Sequence, residues 1–197
     1  MKSMNFLAHI YLSGDNDLLK IGNFMADGIR GKDYLRFPEE VKKGILLHRK
    51  IDSFTDEHLI YRKSKHRLHA KYGHYAGVIM DIIYDHFLAK NWEKYSNESL
   101  EHYVSDFYQL LDDHLGILTE KTKNLLPSMK QNNWLLSYQS IEGIEKILFQ
   151  MDYRTKHRAK MQEAIVELEL FYPEIEEEFT LFFSELQFYV AQQLTHL

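Results

Sequence analysis

Apolar positions recur at spacings of three and four along most of the 197-residue chain, and only 9 Gly and 3 Pro interrupt them. That pattern predicts a mostly helical protein. Pro38 followed by Glu39 and Glu40 suits a helix entrance, so a helix is predicted from there to about Phe54. A second is predicted over about Tyr75 to Trp92, where ten of the fourteen residues from Ala76 to Ala89 are apolar. A helix with so little polar surface is expected to be buried and central. Further helices are expected at about 4–12, 16–27, 57–72, 97–115, 119–136, 140–152, 154–171 and 173–194, with Pro127 and Pro173 as kinks or boundaries. The last of these carries Leu181, Phe182, Phe183, Leu186, Phe188, Tyr189, Val190 and Leu194 and reads as a buried amphipathic helix behind the acidic start Glu174 to Glu178. No internal repeat and no Gly/Ser linker divides the chain, which predicts one all-α domain over 1–197, a multi-helix bundle.

Composition narrows the chemistry. Hydrophobic residues at 45% and charged residues at 27% exclude a disordered tail, a collagen-like repeat and a membrane channel. The absence of cysteine removes disulfide scaffolds, zinc ribbons, iron–sulfur clusters and thiol nucleophiles, so any metal must be held by His and carboxylate. No apolar run is long enough to span a membrane and no small-residue cleavage site follows the first residues, so a cytoplasmic protein without a membrane partner is expected. The net charge of -5 hides an asymmetry, because residues 28–72 hold 12 Lys/Arg against 6 Asp/Glu whereas residues 73–197 hold 10 against 20. A basic segment on an acidic chain either steers an acidic or phosphate-bearing partner or solvates helix faces. No nucleic-acid partner is expected, and the oligomeric state is not legible.

Polar residues on apolar stripes mark the candidate chemistry. Val41, Ile45, His48, Asp52 and Thr55 advance by three or four and share one helix face, so His48 and Asp52 point the same way. They either hydrogen-bond to each other or share a cation. Asp81 and Asp85 lie four apart on the nearly apolar central helix, where two carboxylates need a cation or an Arg such as Arg49, Arg62 or Arg67. A metal is the favoured reading there. Asp27 lies before Gly28 at a predicted helix end, and His9 lies inside an apolar stretch. A capping Asp and a hydrogen-bonded core His are the alternatives for these two.

The stretches Met4-Asn-Phe-Leu-Ala-His9, Gly22-Asn-Phe-Met-Ala-Asp27, Gly44 to His58 with His48, Asp52 and Asp56, and Asp81 to Trp92 resemble, in order and spacing, the motif series of the acyl carrier protein phosphodiesterases. The resemblance covers roughly the first 92 residues. It implies an all-helical fold related to the HD phosphohydrolases, a divalent metal, typically manganese with magnesium or iron as alternatives, and removal of 4′-phosphopantetheine from holo acyl carrier protein. It further implies a metal on Asp27, His48, Asp52, Asp81 and Asp85. Asp27 or Asp81 would accept a proton from the attacking water, and His9 and His86 would orient carboxylates or the leaving group. No His here is followed directly by Asp, and the nearest analogue of the HD doublet is the reversed Asp85-His86. An acidic carrier would dock on Arg30, Lys32, Arg36, Lys42, Lys43, Arg62, Lys63, Lys65, Arg67 and Lys71. The competing readings are an HD-like phosphohydrolase acting on a nucleotide or guanosine alarmone, and a non-catalytic helical protein that binds an acidic partner.

Overall fold

The computed structural model describes residues 6–154, 156 and 158–196, and within them the chain is helix and turn with no strand. Met4 and Asn5, which open the first motif and the helix expected at 4–12, lie outside the described residues. The helices are α1 (Phe6–Tyr11), α2 (Asp17–Met25), α3 (Glu39–Glu57), α4 (Leu59–Tyr72), α5 (Ala76–Lys90), α6 (Leu100–Asp113), α7 (Glu120–Gln131), α8 (Trp134–Ser137), α9 (Ile141–Arg154), α10 (Ala164–Leu170) and α11 (Tyr172–Leu194), linked in places by 3-10 turns. The expected all-α class is what the chain adopts. Starts follow local chemistry: the side chains of Asn16, Ser99 and Thr119 accept the N–H of Leu19, His102 and Thr122 and so cap α2, α6 and α7.

The C-terminal half is more broken than its periodicity predicts. The helix expected over 119–136 is two helices, because Asn133 takes a left-handed backbone at φ 44° and ends the run. Pro127 breaks nothing, and α7 continues through it to Gln131. Of the helix expected over 154–171, the described residues show a 3-10 turn (Met161–Glu163) and α10, and Lys156 and Lys160 before them both sit at positive φ, outside helical geometry. Pro173 does mark a boundary, in the first turn of α11.

Helix α5 is the centre of the bundle. Every residue from Ala76 to Ala89 except Gly77 is buried, and α1, α4, α9 and α11 pack around it. Its apolar residues join those of α2, α3 and the C-terminal helices in one core cluster. Helices α2 and α3 meet more closely than side chains ordinarily allow. A Cβ added at Gly22 would lie 2.2 Å from the Val41 carbonyl oxygen, and one added at Gly44 would lie 2.2 Å from that of Leu19. Only glycine fits at this crossing. On the opposite side, α11 is tied to α4 by Glu178, a buried carboxylate that accepts from Arg67 at 2.5 and 2.7 Å and from Ser64 at 2.5 Å, with Lys63 2.8 Å away.

Two outcomes follow for stability. Gly44→Ala drives a methyl group into backbone and should cost about 2–3 kcal/mol or prevent folding, read from the denaturant midpoint. For Glu178, burial alone would raise the pKa, but Arg67, Lys63 and Ser64 reverse this and hold it at about 2. A depressed carboxylate stabilises the fold fully above its ordinary range near 4.5 and loses that contribution as pH falls toward about 2. Arg67→Met should therefore destabilise by about 2 kcal/mol at neutral pH, and the gap from wild type should narrow on acidification across that window. Equal loss at every pH would rule out the ion pair as its source.

Candidate metal centre

Four ionisable side chains from three parts of the chain converge beside the α2–α3 crossing. His9 comes from α1, Asp27 from the 3-10 turn Ala26–Gly28 that follows α2, and His48 and Asp52 from adjacent turns of α3. The imidazoles of His9 and His48 stack with centroids 4.0 Å apart. His9 Nε2 is 3.3 Å from Asp52 Oδ1, His48 Nε2 is 3.3 Å from Asp52 Oδ2, and His48 Nε2 is 3.4 Å from Asp27 Oδ1. The far nitrogens, both Nδ1, turn to one atom, Asn23 Oδ1, at 2.7 Å from His9 and 3.2 Å from His48.

The near atoms have too few partners. His9 Nε2, His48 Nε2 and Asp27 Oδ1 are buried and make no hydrogen bond, an expensive state for polar atoms in a protein interior. Donor atoms sharing one cation at about 2.1 Å stand about 3.0–3.4 Å apart, the spacing seen here. His9, His48 and Asp52 thus form a group able to hold a divalent metal, with Asp27 against His48. Access is from one side: the side chains of His9 and His48 are 2% and 7% exposed, Asp27 11% and Asp52 30%, so the carboxylates form the rim and the imidazoles the floor.

The electrostatics fit a site short of positive charge. Burial pushes the His48 pKa down, yet its contacts to Asp27 and Asp52 outweigh this and raise it to about 9. Burial would raise Asp52, but His48 and His9 hold it well below the usual carboxylate range. Burial, helped by the neighbouring His48, keeps the His9 pKa low. A second group, Glu98 before α6 with His102 and Asp106 on its exposed face, is set at four-residue spacing. It is solvent-facing, with His102 pairing with both carboxylates.

The other residues singled out by sequence stand elsewhere. Asp85 is fully buried, and its two oxygens accept the backbone N–H of Leu7 and Ala8, each at 2.9 Å. These are free N–H groups of the first turn of α1, so Asp85 anchors the segment that carries His9. Burial still pushes the Asp85 carboxyl well above its usual range. Asp81 accepts from the Tyr61 hydroxyl at 2.6 Å. The ring of His86 is engaged at both nitrogens, Nδ1 with the Tyr138 carbonyl at 2.8 Å and Nε2 with the Tyr172 hydroxyl at 2.7 Å. The structure therefore brings His9, Asp27, His48 and Asp52 together and sets Asp81, Asp85 and His86 in helix-to-helix contacts. Asn23, Gly22 and Gly44 stand inside the quoted motifs, but sequence reasoning assigned them no role. The one available signal was a polar Asn within the apolar run Ile21 to Met25.

The basic segment also separates into two parts. Lys42 and Lys43 pair with Glu39 and Glu40, Lys65 with Asp56, Lys63 and Arg67 with Glu178, and Lys71 with Glu163 and Glu167. Among the described residues no carboxylate lies in ion-pair contact with Arg30, Lys32, Arg36 or Arg62. The first three of these occupy the loop that follows Asp27. Arg49 fastens that loop by donating to the carbonyls of Ile29 and Gly31 at 3.3 and 2.9 Å, and its guanidinium lies over the Tyr34 ring.

Comparison with known proteins extends over nearly the whole chain. The sequence model of the family described as acyl carrier protein phosphodiesterase matches residues 4–186. Proteins named acyl carrier protein phosphodiesterase are similar to this chain over more than nine-tenths of its length. The one from Photorhabdus laumondii subsp. laumondii is 31% identical over 181 residues, 91% of either chain. That from Yersinia enterocolitica is 29% identical over 93% of this chain and 95% of its own, and that from Pectobacterium atrosepticum 27% identical over 97% and 100%. No solved structure matches. No helix of the described residues is long and apolar enough to cross a membrane. With the family model spanning α1 to most of α11 and a relative above 30% identity along nine-tenths of the chain, this protein belongs to the acyl carrier protein phosphodiesterase family.

Proposed function

We propose that this chain is a metal-dependent phosphodiesterase of the cytoplasm that cleaves 4′-phosphopantetheine from the serine of holo acyl carrier protein. The observation that carries this reading is the convergence of His9 Nε2 and His48 Nε2 on the Asp52 carboxylate, with Asp27 Oδ1 against His48 Nε2, the two imidazole nitrogens and Asp27 Oδ1 being buried without a hydrogen bond, in a chain of this family. Hydrolysis joins a water oxygen to phosphorus and breaks the phosphorus–oxygen bond to serine, the serine oxygen leaving with a proton. A divalent cation, when bound, neutralises charge on the phosphoryl oxygens and makes water a better nucleophile. His9, Asp27, His48 and Asp52 would hold it. Two imidazoles with two carboxylates suit manganese or iron better than magnesium, which takes oxygen ligands.

The chain's own groups do the rest. Asp27, on the rim, accepts the proton of the attacking water. His9 and His48 form the dry floor that keeps the carboxylates apart and oriented. Asp85 holds α1, and through it His9, in register. Asp81 and His86 serve the packing of α5 against its neighbours. Arg30, Lys32 and Arg36, uncompensated and directly beyond Asp27, steer the acidic carrier to the open side of the site, with Arg62 as a further cation.

Purified protein incubated with holo acyl carrier protein and manganese should remove the phosphopantetheine mass from the carrier, read by mass spectrometry, and a chelator should abolish the loss. His48→Ala and Asp52→Ala should each lower activity by at least about 100-fold and release the metal. Metal bound without any mass change would redirect the site to nucleotide phosphoesters, whereas neither metal nor mass change would favour a non-catalytic binder. The paired reversal Arg30→Glu with Lys32→Glu should reduce kcat/KM by about tenfold at low salt, leave kcat unchanged and converge on wild type at high salt. An unchanged kcat/KM at low salt would remove the loop from docking.

A further inference from the structure

Asn23 occupies a position that no substrate or cation need touch, yet both imidazoles of the site depend on it. It is fully buried on α2. Its amide nitrogen donates to the backbone carbonyl of His9 at 2.9 Å and to the Ser13 hydroxyl at 3.0 Å, while that hydroxyl donates to the same His9 carbonyl at 2.9 Å. A carbonyl oxygen only accepts, so the amide cannot be turned over: the end facing His9 O and Ser13 must be NH2, and the end facing the imidazoles must be oxygen. That oxygen in turn only accepts. The two ring nitrogens that meet it, Nδ1 of His9 at 2.7 Å and Nδ1 of His48 at 3.2 Å, must therefore both carry hydrogen.

We infer that Asn23 is a positioning residue that holds hydrogen on Nδ1 of both His9 and His48, so that both Nε2 atoms face Asp27 and Asp52 and are the atoms left to donate a lone pair when a cation is bound. A neutral histidine in water favours the opposite tautomer, with hydrogen on Nε2, which would blunt both donors. One side chain thus sets two ligands. Seating them on one acceptor also explains how the two rings stack at 4.0 Å in a fixed relation. Its consequence for metal affinity rests on the metal reading given above; the tautomer assignment does not.

The test separates the two. In metal-free, nitrogen-15-labelled protein in mildly alkaline buffer, long-range proton–nitrogen correlations read the tautomer of His9 directly, and zinc-loaded protein reads both rings. Wild type should show Nδ1–H at His9. Asn23→Leu, of similar size with no acceptor, should shift His9 to Nε2–H or a mixture and weaken manganese binding by about 10–100-fold, measured calorimetrically. Asn23→Asp keeps the acceptor and should retain Nδ1–H with less than about tenfold loss of affinity, as expected when the orienting bond survives. If Asn23→Leu does not fold, wild type and Asn23→Asp carry the test alone. Nε2–H at His9 in wild type, or a tautomer and affinity unmoved in folded Asn23→Leu, would overturn the inference. Nδ1–H in wild type with no cation bound would uphold the role of Asn23 and defeat the metal assignment instead.

Discussion

Two glycines facing each other's backbones set the geometry of the whole site. With Gly22 and Gly44 at the α2–α3 crossing, carbonyl oxygens of each helix approach the other to within what would be 2.2 Å of an added Cβ. Residues one position past Gly22 and four past Gly44 are then in hydrogen-bond range, which is why Asn23 can meet His48 at all. Separating the helices by the width of a methyl group would break that bond and move the α3 pair, His48 and Asp52, away from His9 and Asp27. Side chains that converge on one point need placement to a fraction of an ångström, and here a backbone contact provides it.

The central helix shows how an apolar interior accommodates carboxylates. Asp85 has no exposure, and it persists because the first turn of α1 offers N–H groups that have no helical partner of their own. Each need answers the other: α1 is too short to be stable alone, and Asp85 is too polar to be buried alone. Asp81 meets Tyr61 of α4, and Ser64 of α4 links Tyr84 of α5 to Glu178 of α11. Polar bonds inside the core thus set the order in which α1, α4 and α11 pack on α5, and the apolar residues fill the space between.

Charge is divided between holding the protein together and leaving a free face. The acidic helices α10 and α11 neutralise Lys63, Arg67 and Lys71, so the basic excess of residues 28–72 is concentrated beyond Asp27. The field of that loop lies beside the open rim of the site, where Asp52 is the most exposed of the four converging side chains.

Much of this was legible in the chain. Apolar periodicity identified the helices of the N-terminal half and the buried status of α5, because the burial of a helix is written in its apolar face. Four-residue spacing placed His48 beside Asp52, and the motif series pointed to His9 and Asp27. What periodicity cannot report is which partner from a distant helix meets a buried polar group. Asp85 and Asp52 occupy equivalent places on their stripes, yet one faces N–H groups of α1 and the other faces two imidazoles, a difference settled only by how α1 and α2 lie across them. The same holds for α7 to α10, where left-handed residues at Asn133, Lys156 and Lys160 lie in stretches that periodicity alone would make helical. Local sequence determined which faces must be buried; the tertiary structure decided what they meet, because hydrogen bonds and ion pairs act over about 3 Å and that distance exists only once the helices have packed.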